Sequence, residues 1–566
     1  MTNNTWMWKA LFLASFLTAL PLPAQNRDPV NRLLDRIVAN ENQFLSRMKR
    51  FHPIFETYVQ ALAEGADPDD PPASDYYIIG RLDLTSGGID QTPLLESAAF
   101  EKHPRSLLRL PWIHLPAIRL PLPFHKGSSG MIFEPAGFAQ MVVIDADEFN
   151  RATYRFAYVR REFLGDVRCL VFDISPRDRQ AAGKFIGRFW VEDKDYRVVR
   201  FNGTYTRSTS SGLFFHFDSW RVNVAPGLWA PAAIYVEDAA YHEKGRRFRF
   251  KAQTRLWGYH AGAGNKLQEL TNILVDAGNP VEDRSGSKDV SPLEGRRSWE
   301  KQAEENVLYR LEQSALLAPK GEADQVLNTV VNNLMVTNHI NLDDVQCRVM
   351  LTTPLETFSV GRAIVVSRGL LDVLPDEASL AMVLANELAH IVLGHRMETM
   401  YAFSDETLFP QNEVLSRLRF TRTPEEVESA GKKAVEILSH SPYKDKLAGA
   451  GLFLKALQSH APRLPNLIQA SVGNGLANAG HLLRLEELIR QAPPLEEGKI
   501  EQIAALPLGS RIRLDPWNDQ VALIQTKPAA LLSAREKMPF EVTPFLLHLT
   551  RITAQAGKPA QTTQNR

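Results

Sequence analysis

The residues whose types and spacing could do chemistry lie together in one segment, residues 376–395. Its centre reads Asn-Glu-Leu-Ala-His, from position 386 to position 390. In the related pattern His-Glu-x-x-His, two imidazoles one helical turn apart bind a zinc ion, and the glutamate takes a proton from the zinc-bound water. Glu387 and His390 correspond to the general base and the second ligand, whereas Asn386 stands where the first histidine belongs. The segment therefore predicts a zinc-type site in which one imidazole has been replaced.

The segment has the features of a buried helix. Asp376 is a suitable N-cap residue, and most of the residues that follow it are apolar. On such a helix a carboxylate without a partner is costly to bury, so Glu387 must face a cleft, a metal ion or a cation. His390 could instead be a core histidine that is hydrogen-bonded on a buried helix face.

Two regions of different periodicity surround this helix. Residues 29–63 have apolar side chains at helical spacing, and the stretch 66–74, rich in proline and aspartate, predicts a linker. From about residue 75 to residue 258 the period becomes two, and residues 185–204 have the pattern of a hairpin. These strands predict a curved antiparallel sheet that is open on one face. The polar stretch 278–297 predicts the linker to a second domain.

The region after this linker is predicted to be mainly helical. Helices are expected from about Asp376 and over residues 298–317, 323–336, 424–439, 446–458, 464–472 and 476–489. Strands are expected near residues 345–352, 363–367, 510–514 and 521–525. The motif therefore lies in a helical domain with a small sheet.

The surroundings of the motif resemble metallopeptidase family forty-eight, the gluzincins that include the CAAX prenyl endopeptidases, HtpX and BepA. The resemblance rests on residues 357–371 and 378–395 and covers about residues 323–470. In that family a strand ending near Gly-Leu-Leu precedes the His-Glu-x-x-His helix, and the glutamate of a later Glu-x-x-x-Asp helix is the third zinc ligand. Glu426 matches this glutamate, but Ala430 replaces the aspartate. The resemblance implies a zincin-like domain, a zinc cofactor and the hydrolysis of peptide bonds.

The resemblance also suggests a substitute for the replaced imidazole. The run Ser-His-Ala-Pro from position 459 resembles the Ser/Thr-His-Pro segment of the family, whose histidine can lie near the metal. Three ligands would then come from His390, Glu426 and His460, and one coordination position of the metal would stay open. His395 is the other candidate, but at about 100° per residue it lies about 180° around the helix from position 386. It could contribute only if the helix breaks at Gly394.

Two differences from the family pattern weaken the predicted site. An amide oxygen, which is what Asn386 offers, is a poor zinc ligand compared with imidazole, thiolate or carboxylate. The loss of an outer-shell acid at Ala430 is a change that typically lowers metal affinity or activity about 10–100-fold. Whether metal binds therefore stays open at this point.

An extended peptide would lie along an edge strand at residues 359–367, by addition of a strand to the sheet. The residues expected to contact it are Ser359, Gly361, Ala363 and Val365.

The N-terminal sheet has a resemblance of its own. Residues 184–202 resemble the later strands of the LolA-like, lipoprotein-sorting half-barrel proteins. This likeness implies an apolar concavity that could bind a lipid or a lipoprotein. A plain structural sheet is the alternative.

The first residues predict export. Lys9 is the only charged residue before Arg27, an apolar run follows it, and Ala24 marks a plausible cleavage point. An uncleaved anchor is the alternative, but the run is short for a membrane span. Since no later segment is long and apolar enough to span, we expect a secreted or periplasmic protein of the cell envelope.

Composition excludes some classes of protein. Lysine plus arginine and aspartate plus glutamate number 65 each, so the chain has no global attraction to nucleic acid. Two cysteines, Cys169 and Cys347, exclude a disulfide scaffold, and two separate buried thiols are favoured over a pair.

The sequence thus predicts an α+β chain with a curved antiparallel β domain followed by a mainly helical peptidase-type domain. The expected parts are a signal peptide (1–24), a helical lead segment and linker (25–74), the β domain (75–277), a linker (278–297), the zincin-like domain (298–500), a C-terminal extension with short strands (501–554) and a disordered tail (555–566).

Three functions stay open. The chain could be a zinc endopeptidase acting on envelope proteins. It could be a pseudopeptidase that binds an extended chain as a chaperone or assembly factor. It could also bind a lipid or lipoprotein through its N-terminal sheet.

Overall fold

The computed structural model is an α+β protein in which a large antiparallel sheet is followed by helices and a small mixed sheet. This architecture confirms the predicted fold class. The structure describes residues 28–63, 72–83, 90–93, 124–127, 130–133, 138, 140–145, 148–178, 180–181, 183–206, 215–238, 250–259, 292–396, 420, 422–470, 472–477, 485–496, 512–515, 520–523 and 540–552.

The N-terminal region consists of one helix, a ten-stranded antiparallel sheet and a separate hairpin, within the residues just given. Its elements are α1 (Asp28–Met48), β1 (Ile54–Ala61), β2 (Ser74–Asp83), β3 (Asp90–Pro93), β4 (Phe124–Gly127), β5 (Gly130–Phe133), β6 (Tyr154–Leu164), β7 (Val167–Pro176), β8 (Phe185–Glu192), β9 (Val198–Tyr205), β10 (Phe215–Ala225), β11 (Leu228–Asp238) and β12 (Phe250–Trp257). The strand order is β3-β2-β1-β12-β11-β10-β9-β8-β7-β6, and β4 pairs with β5 alone. The predicted hairpin is confirmed, because β8 and β9 pair antiparallel.

One prediction in this region is wrong. The helical pattern extends over residues 29–63, but the helix ends at Met48 and Ile54–Ala61 form strand β1 in the interior of the sheet. This strand pairs with β2 on one side and with β12 on the other. Its aromatic and β-branched residues suit a strand, and pairing on both sides outweighs the local helical spacing.

Both faces of the sheet are covered by other parts of the chain. Helix α1 packs on one face, where Ile37, Phe44 and Met48 join an apolar cluster with the phenylalanines of the strands. Residues 540–552 run along the other face, where Leu549 packs with Trp190 and Trp220. One face of the sheet is therefore apolar, and helix α1 packs on it.

The second region contains the small sheet and the remaining helices. Its elements are α2 (Pro292–Gln313), α3 (Glu322–Thr337), β13 (Gln346–Met350), β14 (Glu356–Val360), β15 (Ala363–Ser367), α4 (Arg368–Val373), α5 (Glu377–Val392), α6 (Pro424–Ser439), α7 (Leu447–His460), α8 (Pro465–Ile468), β16 (Asn474–Gly475), α9 (Glu486–Gln491), β17 (Ile512–Asp515) and β18 (Gln520–Leu523). Strands β17 and β18 pair with each other, and the other four form a sheet in the order β13-β15-β14-β16.

This strand order corrects the predicted peptide-binding edge. Strand β15 is interior, since Val365 lies opposite Arg348 of β13 on one side and opposite Phe358 of β14 on the other. Ala363 and Val365 therefore cannot add a peptide as a new strand, because their ladder positions are filled. Sequence periodicity shows that a segment is a strand, but it does not show which strands lie beside it.

Two buried carboxylates of the large sheet hold the helical region. Glu56 of β1 accepts hydrogen bonds from the backbone N–H and the hydroxyl of Thr353, at 2.6 and 2.8 Å. Asp75 of β2 accepts from the backbone N–H groups of Asn466 and Leu467, at 3.1 and 2.8 Å. Burial raises the pKa of Asp75. The two regions are therefore joined by specific polar contacts between buried groups.

Several predictions about the segments between these elements fall outside the described residues. These are the signal peptide (1–24), residues 278–291 of the predicted linker and the tail (555–566). Helix α2 begins at Pro292, within the stretch predicted as linker. Among the helices described, none has the length and apolar character needed to cross a membrane. Cys169 and Cys347 are both buried and free.

Candidate functional site

Helix α5 carries the motif into the interior of the helical region. The carboxylate of Asp376 accepts a hydrogen bond from the backbone N–H of Ser379 at 2.8 Å, so the predicted N-cap is confirmed. The helix packs against α3, α6 and α7. Asn386, Glu387 and His390 are each 0% exposed. The motif is thus held in the protein interior rather than on a solvated helix face.

Asn386 is a buried amide at the position of the missing imidazole. Within the described part of the chain, neither its Nδ2 nor its Oδ1 has a hydrogen-bond partner. A buried donor or acceptor that stays unsatisfied typically costs about 1–3 kcal/mol. The site therefore keeps a polar group that destabilises the fold as it stands.

The end of α5 turns His395 back toward the motif. Gly394 has a φ of +70°, the left-handed conformation that glycine adopts without strain at helix ends. The backbone N–H of His395 donates to the carbonyl oxygen of His390 at 3.0 Å, and the two Nδ1 atoms are 2.9 Å apart. The helix break on which a contribution from His395 depends is therefore present.

Helix α6 brings further polar groups to His395. The Oγ of Ser429 lies 3.5 Å from Nε2 of His395. Burial lowers the pKa of His395, although the charge of Glu426 acts in the opposite direction. Glu426 also closes the capping box of α6, because its Oε2 accepts from the backbone N–H of Thr423 at 3.1 Å. Sequence reasoning did not single out Ser429, whose only signal is its position one turn after Glu426.

His460 is held at the end of helix α7. It is the last residue of α7, its Nδ1 lies 2.8 Å from the carbonyl oxygen of Ala456, and its ring meets that of Phe540 edge-on at 5.0 Å. The structure thus places it against the C-terminal segment that runs along the large sheet.

These positions do not fit the zinc site that the resemblance implies. Among the described residues there is no group of three or more histidine, cysteine, aspartate or glutamate side chains that could hold a metal ion. The 2.9 Å between the Nδ1 atoms of His390 and His395 is a hydrogen-bond distance, so a metal ion does not lie between them. The ligand set of His390, Glu426 and His460 stays a prediction from the family resemblance.

The predicted substrate residues of β14 are covered by another segment. Arg422 donates from one guanidinium nitrogen to both the carbonyl oxygen and the hydroxyl of Ser359, at 3.1 and 3.2 Å. The ring of Phe420 stacks on that of Phe358 at 4.3 Å. Gly361 lies in the turn after β14 with a φ of +56°. Nothing in the sequence pattern singles out Arg422 as the residue that covers this strand.

Comparison with known families agrees with this architecture. Residues 322–423 match the family model of peptidase family M48, from α3 through the small sheet and α5. The match ends at the N-cap of α6, so Glu426, Ser429 and His460 lie beyond it. No curated protein matches the chain. Residues 322–423, which include the motif on α5, are therefore similar to peptidase family M48, and this similarity supports a metallopeptidase-like domain.

Proposed function

We propose that this protein is a pseudopeptidase of the cell envelope, which binds an extended peptide in the cleft of its M48-type domain and does not cut it. The observation that supports the proposal is Asn386. Its amide stands in place of a metal-binding imidazole, is fully buried and has no hydrogen-bond partner within the described residues.

Hydrolysis needs groups that the site does not bring together. A catalytic zinc site has three protein ligands and an open position for water. Of the two motif positions that would bind the metal, only His390 has a suitable side chain. Without a metal-bound water, the carboxylate of Glu387 has no activated proton to accept. The motif as it stands therefore favours a non-catalytic role.

The chemistry of the unsatisfied group indicates a peptide. A carboxamide has one acceptor oxygen and a donor nitrogen, and a peptide group offers the complementary N–H and C=O. A peptide group that reached Asn386 would satisfy both of its atoms at once, and since the amide is fully buried, the groups that cover it would have to move aside. A lipid chain offers neither, and helix α1 already covers the apolar face of the large sheet. We therefore favour a peptide over a lipid as the ligand.

The N-terminal segment supports the proposed location. The apolar run behind Lys9 has the pattern of an export signal. Peptide segments of envelope proteins are accordingly the expected ligands.

The experiment uses the purified mature protein and fluorescently labelled unfolded peptides. We expect less than stoichiometric zinc by elemental analysis, no peptide cleavage, and binding by fluorescence anisotropy that a chelator leaves unchanged. Glu387→Gln keeps the side-chain shape, so it should bind peptide about as well as the native chain.

The competing function is a metal-dependent endopeptidase, which the retained Glu387 and His390 favour. It predicts stoichiometric zinc and peptide turnover that is lost both with chelator and in Glu387→Gln. That result would refute the pseudopeptidase proposal.

A further inference from the structure

The C-terminal segment, residues 540–552, lies on the large sheet although none of these residues belongs to a helix or a strand. A backbone that forms no ladder or helix of its own needs other partners for its N–H and C=O groups. Side chains of the sheet and one of its turns provide such partners, on the face opposite α1. The segment is therefore held in the way that a separate extended peptide would be held.

Two glutamines on neighbouring strands bond to the backbone of this segment. The side chain of Gln60 on β1 donates to the carbonyl oxygen of Phe540 and accepts from the backbone N–H of Val542, the latter at 2.7 Å. Gln253 on β12 donates to the carbonyl oxygen of Thr543 at 2.7 Å. A carboxamide is complementary to any peptide group, so these contacts recognise an extended backbone rather than a particular sequence.

The far end of the segment lies against the turn between β6 and β7. The backbone N–H of Asp166 donates to the carbonyl oxygen of Leu549 at 2.9 Å, and Oδ1 of Asn223 accepts from the backbone N–H of Ile552 at 2.7 Å. A Cβ at Gly165 would lie 2.5 Å from the backbone nitrogen of Leu549 and 2.8 Å from its oxygen. The glycine thus leaves room for a peptide backbone that a larger residue would exclude.

Two side chains of the segment make contacts that depend on their type. Leu549 is 1% exposed and packs with Trp190 and Trp220. Two positions later, the guanidinium of Arg551 donates to the carboxylate of Glu192, which is 0% exposed. Because a buried carboxylate is stabilised by a positive partner, this surface favours a peptide with an apolar residue followed two positions later by a cation.

We propose that the face of the large sheet opposite α1 is a peptide-binding groove, filled in this structure by residues 540–552, and that an extended peptide with the same apolar and cationic residues replaces them. Since the segment belongs to the same chain, it competes with an added peptide as an intramolecular ligand. The native protein should therefore bind such a peptide weakly. The groove is a different surface from the cleft of the M48-type domain, and the inference does not depend on that cleft.

The first test adds a fluorescent peptide with the sequence of residues 540–552 to the full chain and follows its anisotropy. Leu549→Asp places a carboxylate between the two tryptophans, which releases the segment and leaves the groove unaltered. We expect this variant to bind one peptide at least tenfold more tightly than the native protein. Leu546→Asp is the matched control, because Leu546 is 51% exposed, and it should bind like the native protein. A folded Leu549→Asp protein that binds no better than the native one would overturn the proposal.

Two further variants, each combined with Leu549→Asp, locate the bound peptide. Gln253→Leu removes a donor to the peptide backbone and should weaken binding about fivefold, as is typical for one lost hydrogen bond. Asn386→Leu alters the cleft of the M48-type domain and should leave this binding unchanged. Loss of binding with Asn386→Leu but not with Gln253→Leu would place the peptide in the cleft, which overturns this proposal and leaves the proposed function intact.

The second test uses the native chain and needs no variant to fold. Hydrogen exchange compares the backbone amides of Val542 and Ile552 with those of the paired strands β8 and β9. If the segment is released without unfolding of the sheet, its amides should exchange at least tenfold faster than those of the strands. Exchange of both at the rate of the strands would show that the segment is an integral part of the fold, and the proposal would be wrong.

Discussion

The large sheet and helix α5 both bury polar side chains, but the sheet pairs buried arginines with carboxylates, whereas the helix leaves an amide unsatisfied. In the sheet, the guanidinium of Arg221 donates to both carboxylate oxygens of Glu41, at 2.7 and 2.6 Å. Arg200 is bonded to Asp218 at 2.8 Å and lies over the ring of Trp190 at 4.2 Å. Such paired charges indicate structural roles.

Helix α5 differs from the sheet in this respect. Beside Glu387 and His390, both polar side-chain atoms of Asn386 lack a hydrogen-bond partner within the described residues. Within the described part of the sheet, Asn202 of β9 also has a buried amide without a hydrogen-bond partner. Asn202 lies far from any motif, in a strand between β8 and β10. An unsatisfied amide alone therefore does not identify a site, and the comparison between these two residues can separate a functional group from a structural defect.

The largest effect is expected from breaking the charge pair that fixes α1. Glu41→Leu leaves the guanidinium of Arg221 buried without its carboxylate, and we expect a loss of about 3–5 kcal/mol in the free energy of unfolding, measured by urea titration. The double variant Glu41→Leu with Arg221→Met removes both charges and should recover most of the loss. If the single variant lost less stability than the double variant, the charge pair would not be the contact that holds helix α1.

A smaller effect of opposite sign is expected at the unsatisfied amides. Asn386→Leu and Asn202→Leu each replace a buried unsatisfied amide by an apolar group of similar size, so each should gain stability, by about 1–3 kcal/mol in urea titration. Only Asn386→Leu should lose peptide binding in the anisotropy assay. Loss of binding in both variants, or in neither, would show that the amide of Asn386 is not the recognition group.

Sequence patterns predicted the structure best where the contacts join residues only a few positions apart. Asp376 caps α5 as expected, and α6 begins at Pro424, directly after the capping residue Thr423. Capping chemistry acts over three residues, so it can be inferred without the fold.

Predictions failed where the outcome depends on distant pairing. The interior position of β15 depends on β13, and the strand at Ile54–Ala61 depends on β12, which follows about two hundred residues later. The hydrogen bond from Arg422 to Ser359 likewise joins residues that are 63 positions apart. Such contacts have no local signature, and for that reason the groups around the motif could be predicted less well than the motif itself.

An effect of about 1 kcal/mol is expected from the turn that positions His395. Gly394→Ala introduces a Cβ that meets no atom within 4 Å, so its cost is only that of the left-handed conformation. Gly227 in the turn between β10 and β11 has the same φ of +70° and the same open space, so Gly227→Ala is a matched control. The two variants should lose similar stability in urea titration, but only Gly394→Ala should change the ring NMR signals of His390, because the turn places His395 beside it. Unchanged ring signals of His390 in Gly394→Ala would mean that the turn does not position His395 beside it.

The smallest effect is a dependence of stability on pH. It comes from Asp75, at the contact between the two regions. Burial raises the pKa of Asp75 in the folded protein above its ordinary value of 3.8. The folded state therefore holds this proton more tightly than the unfolded state, and the stabilisation is complete below the ordinary pKa and lost as the pH rises through the folded one. Asp75→Asn has no proton to lose here, so its stability relative to the native protein should increase as the pH rises from about 4 toward neutrality. Urea titrations of both proteins across this range measure the difference, in which all other titrating groups cancel. A difference that is flat or falls with pH would mean that the hydrogen bonds from Asn466 and Leu467 outweigh the cost of burying the charge, and that this contact between the two regions is built around an ionised carboxylate.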